Sequence, residues 1–170
     1  MKNLIIVIIS AILISVFVSN KDLVVIPSTS IRLRVIAASN SKEDQSDKII
    51  VKSALEETIK KMNLSKNYEE VDEYISENKE KIDQNIRNIV SFKQKNISFT
   101  SQYGYNYFPE KEWNGVVYPS GNYKSYVITI GSGKGDNWWC VLYPPICLLE
   151  GENEDYEYRS LIKDILMQYN

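Results

Sequence analysis

The sequence predicts an α+β fold: a single domain in which two amphipathic helices pack on a mainly antiparallel sheet. Two observations support this class. Apolar residues recur at helical spacing between positions 41 and 91, whereas from Ile97 onward they alternate with polar residues between turn signals. Six of the seven glycines lie between Gly104 and Gly135, where tight turns would join strands. Because the helical patterns come first and the strand patterns later, without alternation, an α+β arrangement is expected.

The N-terminal segment, residues 1–21, has the pattern of an export signal. Lys2 precedes an apolar run at positions 4–18. A helix of that length spans about 22 Å, less than the roughly 30 Å of a bilayer's hydrocarbon core, which favours a signal peptide over a full transmembrane span. Phe17 and Val18 stand where a cleavage site requires small side chains, so a retained N-terminal membrane anchor is the alternative.

The rest of the chain is acidic and long enough for one domain. It has 18 basic and 22 acidic residues once 1–21 are set aside, which leaves no basic surface for nucleic acid or an anionic bilayer. We therefore expect no nucleic-acid partner, and membrane contact only through the N-terminal segment. The predicted organisation is a tether at 22–30, an α+β domain at 31–149, and an acidic linker with a C-terminal amphipathic helix at 150–170.

The first strand is predicted at 31–38 and the first helix from Ser41 to about Met62. Along the strand, apolar residues occupy one face, and Arg32 and Arg34 share the other. Ser41 followed by Asp44 is typical of a helix N-cap. A helical stripe of apolar residues then continues to Met62.

The second helix is predicted to follow a candidate cap in the linker 63–67 and to end near Ser91. Its apolar positions are 71, 75, 82, 86, 89 and 90, which lie on one side of a helix. Asn78 stands where this stripe expects an apolar residue. We therefore expect a kink or a break at Asn78.

Three strands are predicted near 97–107, 123–130 and 138–143, with turns at Asn114-Gly115 and at 120–122. The last strand has apolar side chains on both faces, which favours a central position in the sheet. A helical pattern from Tyr158 to Tyr169 predicts a C-terminal helix. That helix either packs on the domain or docks on a partner or a membrane.

The block 131–147 concentrates three glycines, two adjacent tryptophans, two prolines and both cysteines of the chain. The glycines suit a turn that needs positive φ or close approach of two backbones. In an exported domain, Cys140 and Cys147 can form a disulfide that would hold the turn at Pro144 and Pro145. Two buried thiols are the alternative.

Several kinds of chemistry are excluded. The chain has no histidine, which removes histidine-dependent nucleophilic catalysis and histidine-bearing zinc sites, and two cysteines alone cannot complete a four-ligand zinc site. The spacing of Gly131, Gly133 and Gly135 is not that of a phosphate loop, because Gly135 follows Lys134 and a strand comes next where a helix is required. We expect no catalytic residues, no metal and no cofactor.

Three sequence blocks stand out together. They are Ile31-Arg-Leu-Arg-Val-Ile-Ala-Ala-Ser-Asn40 with Glu43-Asp-Gln45, then Tyr118-Pro-Ser-Gly-Asn-Tyr123, and finally Gly133-Lys-Gly-Asp-Asn-Trp-Trp-Cys-Val-Leu-Tyr-Pro-Pro-Ile-Cys147. In content and order they resemble the stage II sporulation protein R family of endospore-forming bacteria. The resemblance covers most of the predicted domain.

This resemblance implies a role and a location. The protein would be a signalling protein made in the forespore and secreted across the forespore membrane into the intermembrane space, or anchored there by its N-terminal segment. Its partner would be a membrane-embedded, aspartic-type receptor protease of the mother-cell septal membrane. Once activated, that protease processes a sigma-factor precursor, and the chain itself would perform no chemistry.

The candidate partner-binding residues lie in these blocks: Arg32, Arg34, Asn40, Asp44, Tyr123, Gly131, Gly133, Lys134, Gly135, Asp136, Asn137, Trp138 and Trp139. Each group also has a structural interpretation. Both tryptophans can belong to the core, the arginines can be exposed without a specific role, and the carboxylates near the helix start can simply stabilise the helix dipole.

The alternative function is an extracytoplasmic, wall-associated glycan-binding protein or hydrolase. Glycoside hydrolysis needs two carboxyl groups and no histidine, and Glu110, Glu112 and Asp136 lie near the aromatic block in sequence. This interpretation requires two acidic side chains to converge in a cleft beside an exposed Trp113, Trp139 or Tyr123.

Overall fold

The computed structural model describes residues 23–93, 95–148 and 155–169. The strands are β1 (Val24–Val25), β2 (Ile31–Ile36), β3 (Phe99–Phe108), β4 (Lys111–Trp113), β5 (Val116–Tyr118), β6 (Gly121–Ile130) and β7 (Asn137–Tyr143). The α-helices are α1 (Lys42–Lys60), α2 (Tyr68–Glu77), α3 (Lys79–Phe92) and α4 (Asp155–Gln168), and a short 3-10 helix covers Ile146–Leu148. The predicted export segment lies outside the described residues. The fold is α+β, as predicted.

The main sheet has four strands in the order β3-β6-β2-β7. β3 pairs antiparallel with β6, β2 lies parallel to β6, and β7 pairs antiparallel with β2. The prediction that the last strand is central was wrong, because β7 is an edge strand and β2 lies between two neighbours. Both faces of β7 carry apolar side chains because each face packs against another layer of the fold. An apolar pattern on both faces therefore does not require that both backbone edges be paired.

Helices α1, α2 and α3 cover one face of the main sheet and enclose its principal core with residues of β2 and β6. The predicted cap is confirmed: the Ser41 side chain accepts a hydrogen bond from the Asp44 backbone N–H at 3.1 Å. The predicted break is confirmed too, because Asn78 separates α2 from α3 and its amide donates to the carbonyl of Tyr74 at 2.9 Å.

A second layer covers part of the other face. It consists of a small sheet in the order β1-β5-β4 and helix α4, and it encloses a second core that contains the fully buried Ile26 and Ile162. The interpretation of 22–30 as a tether is corrected, because Val24 and Ile26 are core residues of this layer. Helix α4 packs on the same domain, which was one of the two alternatives for it.

The turns agree with the sequence in part. Asn114 and Gly115 adopt φ values of 50° and 70° and join β4 to β5, as predicted. The turn predicted at 120–122 was wrong, since Gly121 and Asn122 already pair with β3. Among the described residues, no helix has both the length and the apolar content needed to cross a bilayer.

A partly buried polar cluster connects α3 to the main sheet. The Asp83 carboxylate accepts hydrogen bonds from Ser101 Oγ at 2.6 Å, from Lys79 Nζ at 2.9 Å and from the Tyr126 hydroxyl. Burial disfavours the charged form of Asp83, but the hydrogen bonds from Ser101, Tyr126 and Lys79 together outweigh it. The pKa of Asp83 therefore lies below its ordinary value.

Candidate functional site

Two loops meet beyond the carboxyl ends of β2 and β6. Together with Asn137, the first residue of β7, they form what we call the loop junction: residues 37–41 and residues 131–137. The backbone N–H of Gly135 donates to the carbonyl of Ala37 at 2.9 Å, and that of Lys134 donates to the carbonyl of Ala38 at 3.2 Å. The Ser132 hydroxyl also donates to Ala38, at 2.7 Å. The junction thus joins two of the blocks that carry the family resemblance, although they are far apart in sequence.

The glycines of the junction are required by geometry. Gly131 and Gly133 have φ values of 51° and 64°, in the left-handed region that other residues rarely adopt. A Cβ on Gly135 would lie 2.3 Å from the carbonyl oxygen of Ser39. Substitution at any of the three positions would therefore disturb the approach of the two loops.

Polar side chains complete the junction. The Asn40 side-chain oxygen accepts from the backbone N–H of Asp136 at 2.7 Å, and the Asn40 amide donates to the Asp136 carboxylate at 3.4 Å. Asp44 accepts a hydrogen bond from the Ser39 hydroxyl. Lys48, which the sequence did not single out, is buried and donates to the carbonyl of Asp136 at 3.1 Å. Its place on α1, two turns beyond the cap and on the same side of the helix, was the available signal.

The outer surface of the junction is formed by side chains that the fold leaves free to contact a partner. Lys134, Asp136 and Asn137 are exposed, and the backbone of Lys134 and of Asp136 is held by the hydrogen bonds described above. Of the predicted residues, the structure thus brings together Asn40, Asp44 and the whole segment from Gly131 to Asn137. The geometry gives a rigid polar surface of fixed shape.

The two arginines of β2 do not belong to the loop junction. They lie on the face of the main sheet that helices α1, α2 and α3 do not cover. We call this group the arginine cluster: Arg32, Arg34, Phe108, Tyr123 and Trp139. The Arg32 guanidinium carbon lies 3.4 Å from the centroid of the Tyr123 ring, and that of Arg34 lies 4.1 Å from the centroid of Phe108. The Phe108 and Trp139 rings meet edge to face at 5.3 Å.

The arginine cluster corrects two predictions of partner binding. Arg32 is 2% exposed and Tyr123 is 5% exposed, so neither side chain is accessible to a partner. Arg32 donates to the carbonyl of Pro119 at 3.3 Å, and the Tyr123 hydroxyl donates to the same carbonyl at 2.9 Å. Desolvation by burial lowers the pKa of Arg32, although Tyr123 and Tyr118 act in the opposite direction.

Arg34 is only partly buried. Its Nη2 donates to the carbonyl of Tyr107 at 2.8 Å, which fixes the side chain against the end of β3. Burial lowers the pKa of Arg34. Of the two arginines, Arg34 is the one that still reaches the surface.

A cleft of about 350 Å³ runs beside β7, and we call it the edge groove. One wall carries Trp138, whose ring centroid lies 5.3 Å from Lys52 Nζ, and Lys52 forms an ion pair with Glu56 at 3.1 Å. The other wall carries Lys111, whose Nζ lies 5.4 Å and 5.7 Å from two tryptophan rings. The residues lining the groove are Glu56, Lys111, Trp113, Tyr118, Asn137, Trp138, Trp139, Cys140, Ile146, Cys147 and Tyr158.

Two pairs of residues that line the edge groove are joined to each other, one pair by a disulfide and the other by a hydrogen bond. Cys140 and Cys147 are joined by a disulfide, with their Cα atoms 5.6 Å apart. The hydroxyls of Tyr118 and Tyr158 lie 3.0 Å apart and connect β5 to α4. Burial, followed by this hydrogen bond, raises the pKa of Tyr118, so its hydroxyl stays neutral near pH 7.

The described residues of the groove do not include a carboxylate pair. Among the described lining residues, Glu56 is the one acidic side chain, and it is already paired with Lys52. Glu110 and Glu112 are exposed at the β4 hairpin, and Asp136 belongs to the loop junction. No group of three or more potential metal ligands occurs in the part of the chain that the structure describes.

Comparison with known proteins gives one consistent result. The family model for stage II sporulation protein R matches residues 27–153. The chain is 35% identical to the stage II sporulation protein R of Bacillus subtilis (strain 168) over 136 residues, which cover 79% of this chain and 61% of that protein. This chain thus spans about three fifths of the length of that relative. No solved structure matches.

The match includes β2, the loop junction, the arginine cluster and most of the edge groove. The sequence blocks that carried the resemblance are the segments that build these features. The chain belongs to the stage II sporulation protein R family.

Proposed function

We propose that this protein is an exported signal in sporulation that activates a membrane-embedded, aspartic-type receptor protease. The protein crosses the forespore membrane and acts in the intermembrane space, either released or held there by residues 1–21. The receptor protease lies in the septal membrane of the mother cell and processes a sigma-factor precursor. The protein itself acts by binding the active state of the receptor more tightly than the inactive state.

The loop junction is the observation that carries this proposal. Its exposed residues Lys134, Asp136 and Asn137 stand on a backbone that Asn40 and the glycines hold in place. A surface whose shape is already set loses little conformational entropy when it binds. Membership in a sporulation family supplies the biological context.

The hydrolase alternative is less well supported by the geometry. It needs two carboxyl groups on opposite sides of a scissile bond. Among the described residues that line the edge groove, only Glu56 is acidic, and Lys52 neutralises it. The aromatic walls alone do not supply a general acid and a nucleophile or base.

The test is reconstitution in a host that does not sporulate. The protein is co-expressed with the receptor protease and a sigma-factor precursor, and processing of the precursor is followed by immunoblot. We expect the double variant Asp136→Ala, Asn137→Ala to reduce processing about tenfold or more while the melting temperature changes by less than about 3 °C. Both side chains are exposed, and Asp136 joins the junction mainly through its backbone N–H and carbonyl, which the substitution keeps.

A matched control replaces one acid and one amide elsewhere. Glu80→Ala, Asn85→Ala removes exposed side chains of the same types from α3, and it should process the precursor at the wild-type level. Absence of processing with the wild-type protein would contradict the proposed function. Equal processing with both double variants would show that the receptor does not contact Asp136 and Asn137 at the junction.

A further inference from the structure

We propose that the edge groove receives an extended, acidic segment of the receptor, which adds a strand to the free edge of β7. This inference rests on the proposed function, and it names how the partner is held. It concerns Lys111, Trp113 and the backbone of residues 137–140; of these, only Asn137 also contributes its side chain to the polar surface of the loop junction.

The free edge is the first step. In the described part of the chain, β7 pairs with β2 on one side and with no strand on the other. Residues 137–140 line the edge groove, so the unpaired side of the strand opens into a cleft instead of bulk solvent. An edge strand offers alternate N–H and C=O groups that another extended chain can pair with.

The walls of the groove match the side chains of an added strand. Successive side chains of a strand point to opposite faces. One set would lie against Trp138 on the α1 side, and the other set would lie against Trp113 on the β4 side. Trp113 is 55% exposed, an unusual amount for a tryptophan, and apolar contact with a partner would cover it.

Charge indicates which segment would fit. Lys111 is exposed and contacts the rings of Trp113 and Trp139, and no carboxylate lies within 4 Å of its Nζ in the described residues. Glu56, on the opposite wall, is paired with Lys52. Among the described residues, the groove therefore has one positive charge, that of Lys111, without a carboxylate partner. Its place beside tryptophan rings favours a segment that carries a carboxylate next to an apolar side chain.

Other occupants would leave part of the groove unused. A glycan could stack on the tryptophans but would not complete the ladder of a strand edge. A second copy of this chain would bring a second Lys111 toward the first if two β7 strands paired antiparallel. An acidic extended segment satisfies the backbone edge, the aromatic walls and the charge together.

The test places a photo-crosslinker in the groove of the full-length protein. p-Benzoylphenylalanine is incorporated at position 113, or at position 92 as a control, because Phe92 is 88% exposed on α3. Each protein is co-expressed with the receptor protease and irradiated. We expect receptor crosslinks from position 113 that map to one extended acidic segment, and none from position 92.

Charge reversal gives an independent measure. Lys111→Glu should weaken binding to membranes that carry the receptor about tenfold, as loss and reversal of one partly desolvated pair would. Lys81→Glu makes the same change at an exposed site on α3 and should bind as the wild type does. In hydrogen exchange, amides of residues 137–140 should become protected when those membranes are bound.

The outcomes separate this inference from the proposed function. If the wild-type protein activates the receptor but positions 113 and 92 crosslink alike, or Lys111→Glu binds as Lys81→Glu does, strand addition at β7 is wrong and the function stands. Binding of soluble peptidoglycan fragments without amide protection would identify a glycan site and overturn the inference. If the protein sediments as a dimer and position 113 crosslinks to a second copy of the chain, the inference is overturned in favour of a second copy.

Discussion

Replacement of Gly135 by alanine tests the loop junction most directly. The added Cβ would lie 2.3 Å from the Ser39 carbonyl oxygen and 2.6 Å from its carbonyl carbon. These are backbone atoms, so no side chain can rotate away, and the two loops must separate. That movement would break or weaken the hydrogen bonds at Ala37 and Ala38, which measure 2.9 Å and 3.2 Å.

The expected loss of stability follows from these contacts. Overpacking costs about 1–3 kcal/mol, and each weakened backbone hydrogen bond costs about 1 kcal/mol. With both bonds weakened, we expect Gly135→Ala to reduce the free energy of unfolding by about 3–5 kcal/mol. For a chain of this size, the melting temperature would fall by about 9–15 °C.

The assay is urea unfolding followed by tryptophan fluorescence, with Gly104→Ala as the matched control. No heavy atom lies within 4 Å of a Cβ built on Gly104, so the same substitution there should change stability by less than about 1 kcal/mol. If Gly135→Ala unfolds at the same urea concentration as Gly104→Ala, the close approach of the two loops is not what holds the junction.

Three further predictions concern the cross-link, the pH dependence and the export segment. Mass spectrometry of the exported protein without reduction should find Cys140 linked to Cys147, and the double serine variant should lose about 2–3 kcal/mol, because the closed loop is short; free thiols in protein taken from its own compartment would contradict this. Asp83→Asn should destabilise the protein more at pH 7 than at pH 3. Folding lowers the pKa of this carboxyl group, so the carboxylate contributes stability above its unfolded pKa of about 3.9, and that stability is lost as the pH falls through the folded pKa. Equal losses of unfolding free energy at both pH values in urea unfolding would refute the role of its charge. Replacement of residues 1–21 by an unrelated signal peptide should preserve precursor processing, and loss of processing despite normal secretion would show that the segment does more than direct export.

The sequence alone was sufficient wherever the controlling interaction is local. Ser41 and Asp44 lie within one helical turn, so the cap of α1 was readable from their spacing. Asn78 interrupts a helical stripe, and the helix ends there. Asn114 and Gly115 are the residues that a tight hairpin needs, because both must adopt positive φ.

The sequence also marked the functional segments without showing how they are arranged. The block from Gly131 onward was identified by its composition, and the positive φ values of Gly131 and Gly133 agree with it. Nothing local, however, indicates that Asn40 binds the backbone of Asp136 or that Lys48 reaches the same residue. Those contacts join segments separated by almost one hundred residues.

Only the tertiary structure decided which faces and edges are covered. Periodicity shows that a strand has an apolar face, but the same pattern arises whether a helix, a second sheet or a neighbouring strand covers it. For this reason the sequence pattern predicts a central position for β7 and an accessible side chain for Arg32. The structure places β7 at the edge, beside a groove, and buries Arg32 against Tyr123. Local spacing determines the elements, whereas the partner of each face depends on the path of the whole chain.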